Sequence, residues 1–192
     1  MKYIKTFETL KTVEIQPITF KEWLIKNPQE VWDGHSLGQV AYINTIKINC
    51  GNSNLIDLNG ISQFKNLEHL DCYDNKLTSI PDISNLSKLK YLSCENNQLT
   101  SLPDLSNLSN FKELYCYNNK LTSLPDLSKL SKLEYLYCYN NQLTSLPDLF
   151  NLNNLEELSC KNNKLPYNNL KEYLIWHKKT YSWMWDAKKY NI

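Results

Sequence analysis

The stretch Leu67-Glu68-His69-Leu70-Asp71-Cys72-Tyr73-Asp74-Asn75-Lys76-Leu77, continued by Thr78-Ser79-Ile80-Pro81-Asp82-Ile83-Ser84-Asn85-Leu86, recurs along the chain at a fixed step. The step is set by Cys50, Cys72, Cys94, Cys116, Cys138 and Cys160, each consecutive pair separated by 22 residues. Asn75, Asn97, Asn119, Asn141 and Asn163 keep it, as do Pro81, Pro103, Pro125 and Pro147, and Leu70, Leu92, Leu114, Leu136 and Leu158. A period of this length signals a solenoid, in which each unit is one supersecondary element that cannot bury its apolar face alone. Leu70-Asp71-Cys72 alternates as a short strand, with Leu70 and Cys72 on one face and His69, Asp71 and Tyr73 on the other. Stacked units place equivalent strands ~4.8 Å apart in a parallel sheet lined inside by leucine and cysteine.

The asparagine that ends each strand stands where the backbone turns inward, where its amide can pair backbone groups outside any regular ladder. The return path, Thr-Ser-Leu-Pro-Asp-Leu-Ser-Asn-Leu, is too short and too rich in turn formers for a long helix, so an extended or 3₁₀ convex side is expected. The first unit is degenerate. Ile48, Cys50, Leu55, Leu58 and Ile61 keep their places, but Ser53 replaces the asparagine and Asn59-Gly60 replaces Pro-Asp. Terminal units depart from consensus in this way because one face meets a cap.

Over roughly Ile43 to Leu165 these motifs resemble the leucine-rich-repeat family, in the 22-residue variety shared by bacterial internalin-like proteins and intracellular regulatory subunits. The resemblance implies an α/β repeat solenoid: a right-handed superhelix with a parallel β-sheet on its concave face and small capping elements at both ends. It also implies protein recognition, without indicating which protein. The expected organisation is an N-terminal cap over 1–42, six repeats over 43–165, and a helical cap with an aromatic tail over 166–192.

The flanks carry what caps need. All five tryptophans lie outside the repeats: Trp23 and Trp32 before them, Trp176, Trp183 and Trp185 after. Residues 3 to 16 alternate well enough for one or two strands. Thr19-Phe20-Lys21-Glu22 is a capping box that opens a short helix stopped by Pro28. On the other side, Asn168 or Asn169 caps a helix whose apolar face is Leu170, Tyr173, Leu174 and Trp176. Trp183-Met184-Trp185 either packs on this cap or stands as an anchor for a partner.

Composition narrows the function. The 21 basic residues are all lysine, against 20 acidic ones. Near-neutral charge without arginine removes the bidentate reader of phosphate and guanine, which argues against nucleic acid and anionic membrane. The N-terminal Met1-Lys2-Tyr3-Ile4-Lys5-Thr6-Phe7-Glu8 has no continuous apolar run of signal or membrane length, so a soluble, cytoplasmic protein is expected. Its lysine, asparagine, tyrosine and isoleucine bias suggests an AT-rich genome, such as that of a bacterium or a large DNA virus. The cysteines fall on a line inside an apolar core instead of converging, which reads as inert core packing in a reducing compartment, with no metal and no cofactor. His35, His69 and His177 accompany no nucleophile motif or phosphate loop, so no enzymatic activity is expected.

Counting outward positions along the strands gives the expected concave surface: Lys47, Asn49, Gly51, Asn52; His69, Asp71, Tyr73, Asp74; Tyr91, Ser93, Glu95, Asn96; Glu113, Tyr115, Tyr117, Asn118; Tyr135, Tyr137, Tyr139, Asn140; Glu157, Ser159, Lys161, Asn162. Seven of the 13 tyrosines fall there. Tyrosine offers large contact area at low entropy cost and is enriched at binding hot spots. The expected partner site is Tyr73, Tyr91, Glu95, Glu113, Tyr115, Tyr117, Tyr135, Tyr137 and Tyr139, mildly acidic and suited to a mildly basic protein segment. The chain is expected to be a monomer or to self-associate weakly; the alternative function is a structural or assembly protein that self-associates through its solenoid ends.

Overall fold

In the computed structural model the described residues are 17–27, 31–32 and 45–181. The strands expected within 3–16, together with Pro28, Trp183 and Trp185, lie outside them. Helix α1 (Phe20–Lys26) is followed by strands β1 (Val31–Trp32), β2 (Lys47–Asn49), β3 (His69–Asp71), β4 (Tyr91–Ser93), β5 (Glu113–Tyr115), β6 (Tyr135–Tyr137) and β7 (Glu157–Ser159), then helix α2 (Leu170–Thr180). The seven strands form one sheet in sequence order. Strands β2 to β7 pair in parallel, Leu70 beside Leu92 and Leu92 beside Leu114, so each repeat sits in register on the last. The chain is a repeat solenoid, as the 22-residue period predicts. Strand β1 adds an antiparallel edge beside β2, which the repeat pattern gives no hint of.

The core is a stack of identical layers. Leu70, Leu92, Leu114 and Leu136 are fully buried, as are Cys72, Cys94, Cys116 and Cys138. All six cysteines carry free thiols. The convex side is extended, with tight turns such as Leu86 N–H to Ile83 C=O at 2.9 Å and Leu89 N–H to Leu86 C=O at 2.8 Å. Among the described residues a single 3₁₀ segment lies there, Ile61–Gln63 in the degenerate first unit. The Pro-Asp motif has a local cause: Asp82, Asp104 and Asp126 each accept the backbone N–H two residues on, at 2.8 Å. These Asx turns reverse the chain without a helix, and the backbone donors hold the three carboxyls below the usual carboxylate range.

The asparagines Asn75, Asn97, Asn119, Asn141 and Asn163 tie the layers together. Asn141 Nδ2 donates to Cys116 C=O of the preceding repeat at 3.0 Å and to Cys138 C=O of its own at 3.1 Å. Its Oδ1 accepts the Leu121 N–H at 2.9 Å. In the first unit Ser53 takes over part of this work: it donates to Gly51 C=O at 3.0 Å and accepts the Trp23 indole N–H at 3.0 Å. The degenerate position is thus matched to its cap.

Both helices close the stack. Thr19 Oγ1 accepts the Glu22 N–H at 3.2 Å and Glu22 accepts the Thr19 N–H at 2.8 Å, the expected capping box. Phe20 and Trp23 are buried and stacked on each other, with Phe20 edge-on to Phe64. At the other end Asn169, not Asn168, caps α2. The buried face of α2 differs from the expected one: Tyr173 and His177 are buried, Leu170 and Trp176 are partly buried against the core, and Leu174 is 37% exposed. Leu174 lies one position beyond the face that meets the last repeat.

Replacing Asn141 by alanine leaves one buried N–H and two buried carbonyls without this partner, each costing about 1–3 kcal/mol. A loss of roughly 3 kcal/mol in urea unfolding is expected, whereas a loss below about 1 kcal/mol would show that the repeats do not depend on the ladder.

Candidate functional site

The concave surface is built from the outward positions of β2 to β7 and the residues that follow them. Its tyrosines form two files. In the first, Tyr91, Tyr115 and Tyr137 follow one another with ring centroids 5.4 and 5.0 Å apart, and His69 extends the file at 5.8 Å from Tyr91. In the second, Tyr117 and Tyr139 stack at 4.3 Å, and the Lys161 ammonium lies 5.4 Å from the Tyr139 ring centre. Offset and stacked rings at these separations attract beyond their area burial. The tyrosines therefore also help bind repeat to repeat, a role the pattern of outward positions does not reveal.

Carboxylates border the files. Tyr115 donates to Glu113 at 2.9 Å, Tyr137 to Glu157 at 2.6 Å, and Tyr135 to Glu156 at 2.8 Å on the rim. Glu95 accepts from Ser93 at 2.7 Å. Burial pushes the Glu95 carboxyl up, and the nearby Asp71 and Asp74 add to the effect. Of the two lysines on this face, Lys47 is 3.6 Å from Asp71 and Lys161 is drawn to Tyr139.

The nine expected site residues do not all converge. Tyr91, Tyr115, Tyr137, Tyr117, Tyr139, Glu95 and Glu113 share the two files and their margin. Tyr73 stands apart, its ring lying over Gly51 so closely that a Cβ at that position would overlap it. Asp71 and Ser93, expected on the surface, are buried at 9% and 1% exposure. The larger Tyr91 side chain reaches over both small residues, close enough for its hydroxyl to interact with them. Glu156 was not among the outward positions; it precedes β7 and joins the site through Tyr135 alone.

A further column continues past the tyrosines. Asn52, Asp74, Asn96, Asn118, Asn140 and Asn162 all have left-handed backbone, φ 50–54° for most and 56° at Asn162, a conformation asparagine and aspartate tolerate better than other side chains. The side chains of the last four hydrogen-bond in series, Asn118 to Asn96 and Asn140 to Asn118 at 2.5 Å, Asn162 to Asn140 at 2.6 Å. The doubled asparagines of the repeat thus have separate tasks, one turning the chain and one tying the layers.

The inner thiols face away from this surface. Burial pushes the Cys160 thiol up to about 12 and the Cys72, Cys94 and Cys138 thiols well above the usual range, which suppresses the reactive thiolate. Among the described residues no group of histidine, cysteine and carboxylate side chains is placed to hold a metal, and no helix is long and apolar enough to cross a membrane.

Leucine-rich strands, asparagine ties and helix-free returns define a class of repeat solenoid, and known families match it. The family model of leucine-rich repeats in two copies matches residues 87–129 and 131–172, and that of the single leucine-rich repeat matches 66–86. The chain belongs to the leucine-rich-repeat family. Among solved structures it is similar to YopM from Yersinia enterocolitica WA-314, with 32% identity over 59% of this chain and a TM-score of 0.53. It is also similar to YopM, a leucine-rich effector protein from Yersinia pestis, at 32% identity over 58% of this chain and a TM-score of 0.47. An internalin of Listeria monocytogenes shares 26% identity over 59% of this chain, with a TM-score of 0.49. The chain spans 23%, 35% and 34% of the lengths of these three proteins. No curated protein sequence matches it significantly.

Burial pushes the Tyr117 hydroxyl up to about 12; for Tyr137 the bond to Glu157 does the same, and burial adds to it. Unfolded tyrosine titrates near 10. A pKa raised by folding contributes stability that is complete below about pH 10 and is lost as the pH climbs toward about 12. Tyrosinate absorbance from these rings should therefore appear together with the loss of circular dichroism. Ionisation of all the tyrosines near pH 10 with the fold intact would contradict the burial assigned to them.

Proposed function

We propose that the chain is a binding module that holds a protein partner on its concave face, through Tyr91, Tyr115, Tyr117, Tyr137 and Tyr139, with Tyr73 and Tyr135 at the margins. Leucine-rich-repeat proteins are generally protein-interaction modules, and the concave assignment is supported above all by the two tyrosine files. Five rings presented side by side on a rigid sheet give an aromatic platform that needs little ordering when a partner docks. Glu95 and Glu113 set the chemistry of the margin. With Lys47 held by Asp71, the face offers carboxylates and ring faces, which suit a mildly basic segment and disfavour a phosphate backbone. In this reading the chain is not an enzyme, needs no cofactor, and consists of six repeats over 43–165 between caps at 1–42 and 166–192.

A second reading rests on a different observation. The exposed large apolar side chains are Ile25 and Ile56 near one end and Leu174, Ile175 and Tyr181 near the other, with none in the middle repeats among the described residues. Such ends suit self-association, which would appear as a mass that rises with concentration in light scattering; a constant monomer mass would remove this reading.

The concave site is tested by exchanging Tyr117 and Tyr137 together for alanine and comparing partner capture with the wild-type chain. Hot-spot residues each contribute about 2 kcal/mol or more, so binding should weaken by at least roughly thirtyfold while circular dichroism stays native. Equal capture by a folded double variant would place the site elsewhere.

A further inference from the structure

A second concavity, which none of the concave-face tyrosines lines, lies between α2 and the return segment 146–148. It has a volume of about 220 Å³ and is lined by Leu146, Pro147, Asp148, Tyr173, Trp176, His177 and Tyr181. A single water needs about 10–15 Å³ of such space, so the cavity admits a larger group. Three of its walls are aromatic. Trp176 stands 6.1 Å from Tyr181 at 80° and 6.2 Å from Tyr173 at 36°, centroid to centroid. Buried His177 forms the floor, stacked on Phe150 at 4.9 Å.

The charges around it favour a cation. The Asp148 carboxylate is half exposed at the rim, 3.7 Å from His177 Nε2. Tyr181 is the C-cap of α2, so the negative end of the helix dipole is beside the cavity. Lys178 and Lys179 are exposed and do not line it. Ring faces attract a cation within about 6 Å of their centroids, and aromatic walls with one carboxylate recognise methylated ammonium groups, which are too bulky and too weakly hydrated for an ordinary ion pair.

We infer that this cavity is a binding site for a quaternary ammonium group, with Tyr173, Trp176 and Tyr181 as its aromatic walls and Asp148 as its counter-charge. The site is independent of the concave face. The ammonium rests against the rings and is balanced by Asp148 without a covalent step. Tyr173 is fixed in place because its hydroxyl accepts the Leu149 N–H at 3.1 Å, so part of the cage stands ready before a ligand arrives.

The test uses the full chain and choline, with binding read by saturation-transfer NMR on the N-methyl signal and by calorimetry. Saturable binding is expected. It should fall at least about tenfold in Tyr181→Ala, at a position 38% exposed, and about fivefold in Asp148→Asn, which keeps the Oδ1 acceptor of the Phe150 N–H, with circular dichroism confirming that both variants are folded. The uncharged carbon isostere of choline should bind at least about tenfold more weakly than choline. A peptide carrying trimethyl-lysine, set against its unmethylated form, distinguishes a side-chain-borne ammonium from a free one. Failure of both choline and the methylated peptide to bind would overturn the assignment, as would equal binding of the isostere or unchanged affinity in both folded variants.

Discussion

Everything else in this structure depends on the bonds made by one asparagine side chain per repeat. A parallel sheet built from three-residue strands leaves most of each 22-residue unit without ladder bonds, and buried backbone groups left unpaired would cost more than the strands return. The Asn97 amide answers this from a single position, donating to Cys72 and Cys94 carbonyls and accepting the Leu77 N–H, so it spans two repeats at once. Aspartate could not replace it, because a carboxylate cannot donate to carbonyls. Leucine fills the layer, and asparagine sets how one layer meets the next.

The concave face inherits its regularity from that register. Because Leu114 is opposite Leu136, Tyr115 is opposite Tyr137, and the rings meet at 5.0 Å without any further device. Stacked tyrosines then reinforce the register that aligned them. Under the proposed function, the rings that pack repeat on repeat are also the ones a partner would meet, on a surface whose side chains have already lost much of their freedom. The hydroxyls stay protonated through the neutral range and their bonds to Glu113, Glu156 and Glu157 orient the acidic margin.

How much of this was legible in the sequence follows from the reach of each signal. The solenoid was, since a 22-residue period repeated at leucine, cysteine, asparagine and proline admits few other architectures, and the α1 capping box was, since Thr19 and Glu22 satisfy each other locally. Other features depend on neighbours far apart in the chain. Nothing in Asp71 or Ser93 announces that Tyr91 will cover them. Tyr73 fits the outward pattern as well as Tyr117 does, yet Gly51 in the preceding unit leaves a space that its ring takes. The cavity beside α2 was missed because its walls come from 146–148 and 173–181, and His177 looks like an ordinary surface histidine until Phe150 is seen stacked on it. One further signal is in the sequence itself: four repeats carry two adjacent asparagines, and adjacent asparagines with different environments imply two different backbone tasks.

The asparagine ladder is the central claim, and native-state hydrogen exchange tests it most directly. The amides of Leu77, Leu99, Leu121 and Leu143 each donate to an asparagine side chain of the next repeat, and the account predicts that they exchange only through global unfolding, as slowly as the sheet amides of Leu92, Leu114 and Leu136. Fast exchange at those four leucines while the strands remain protected would show that the repeats are held together by something other than the ladder.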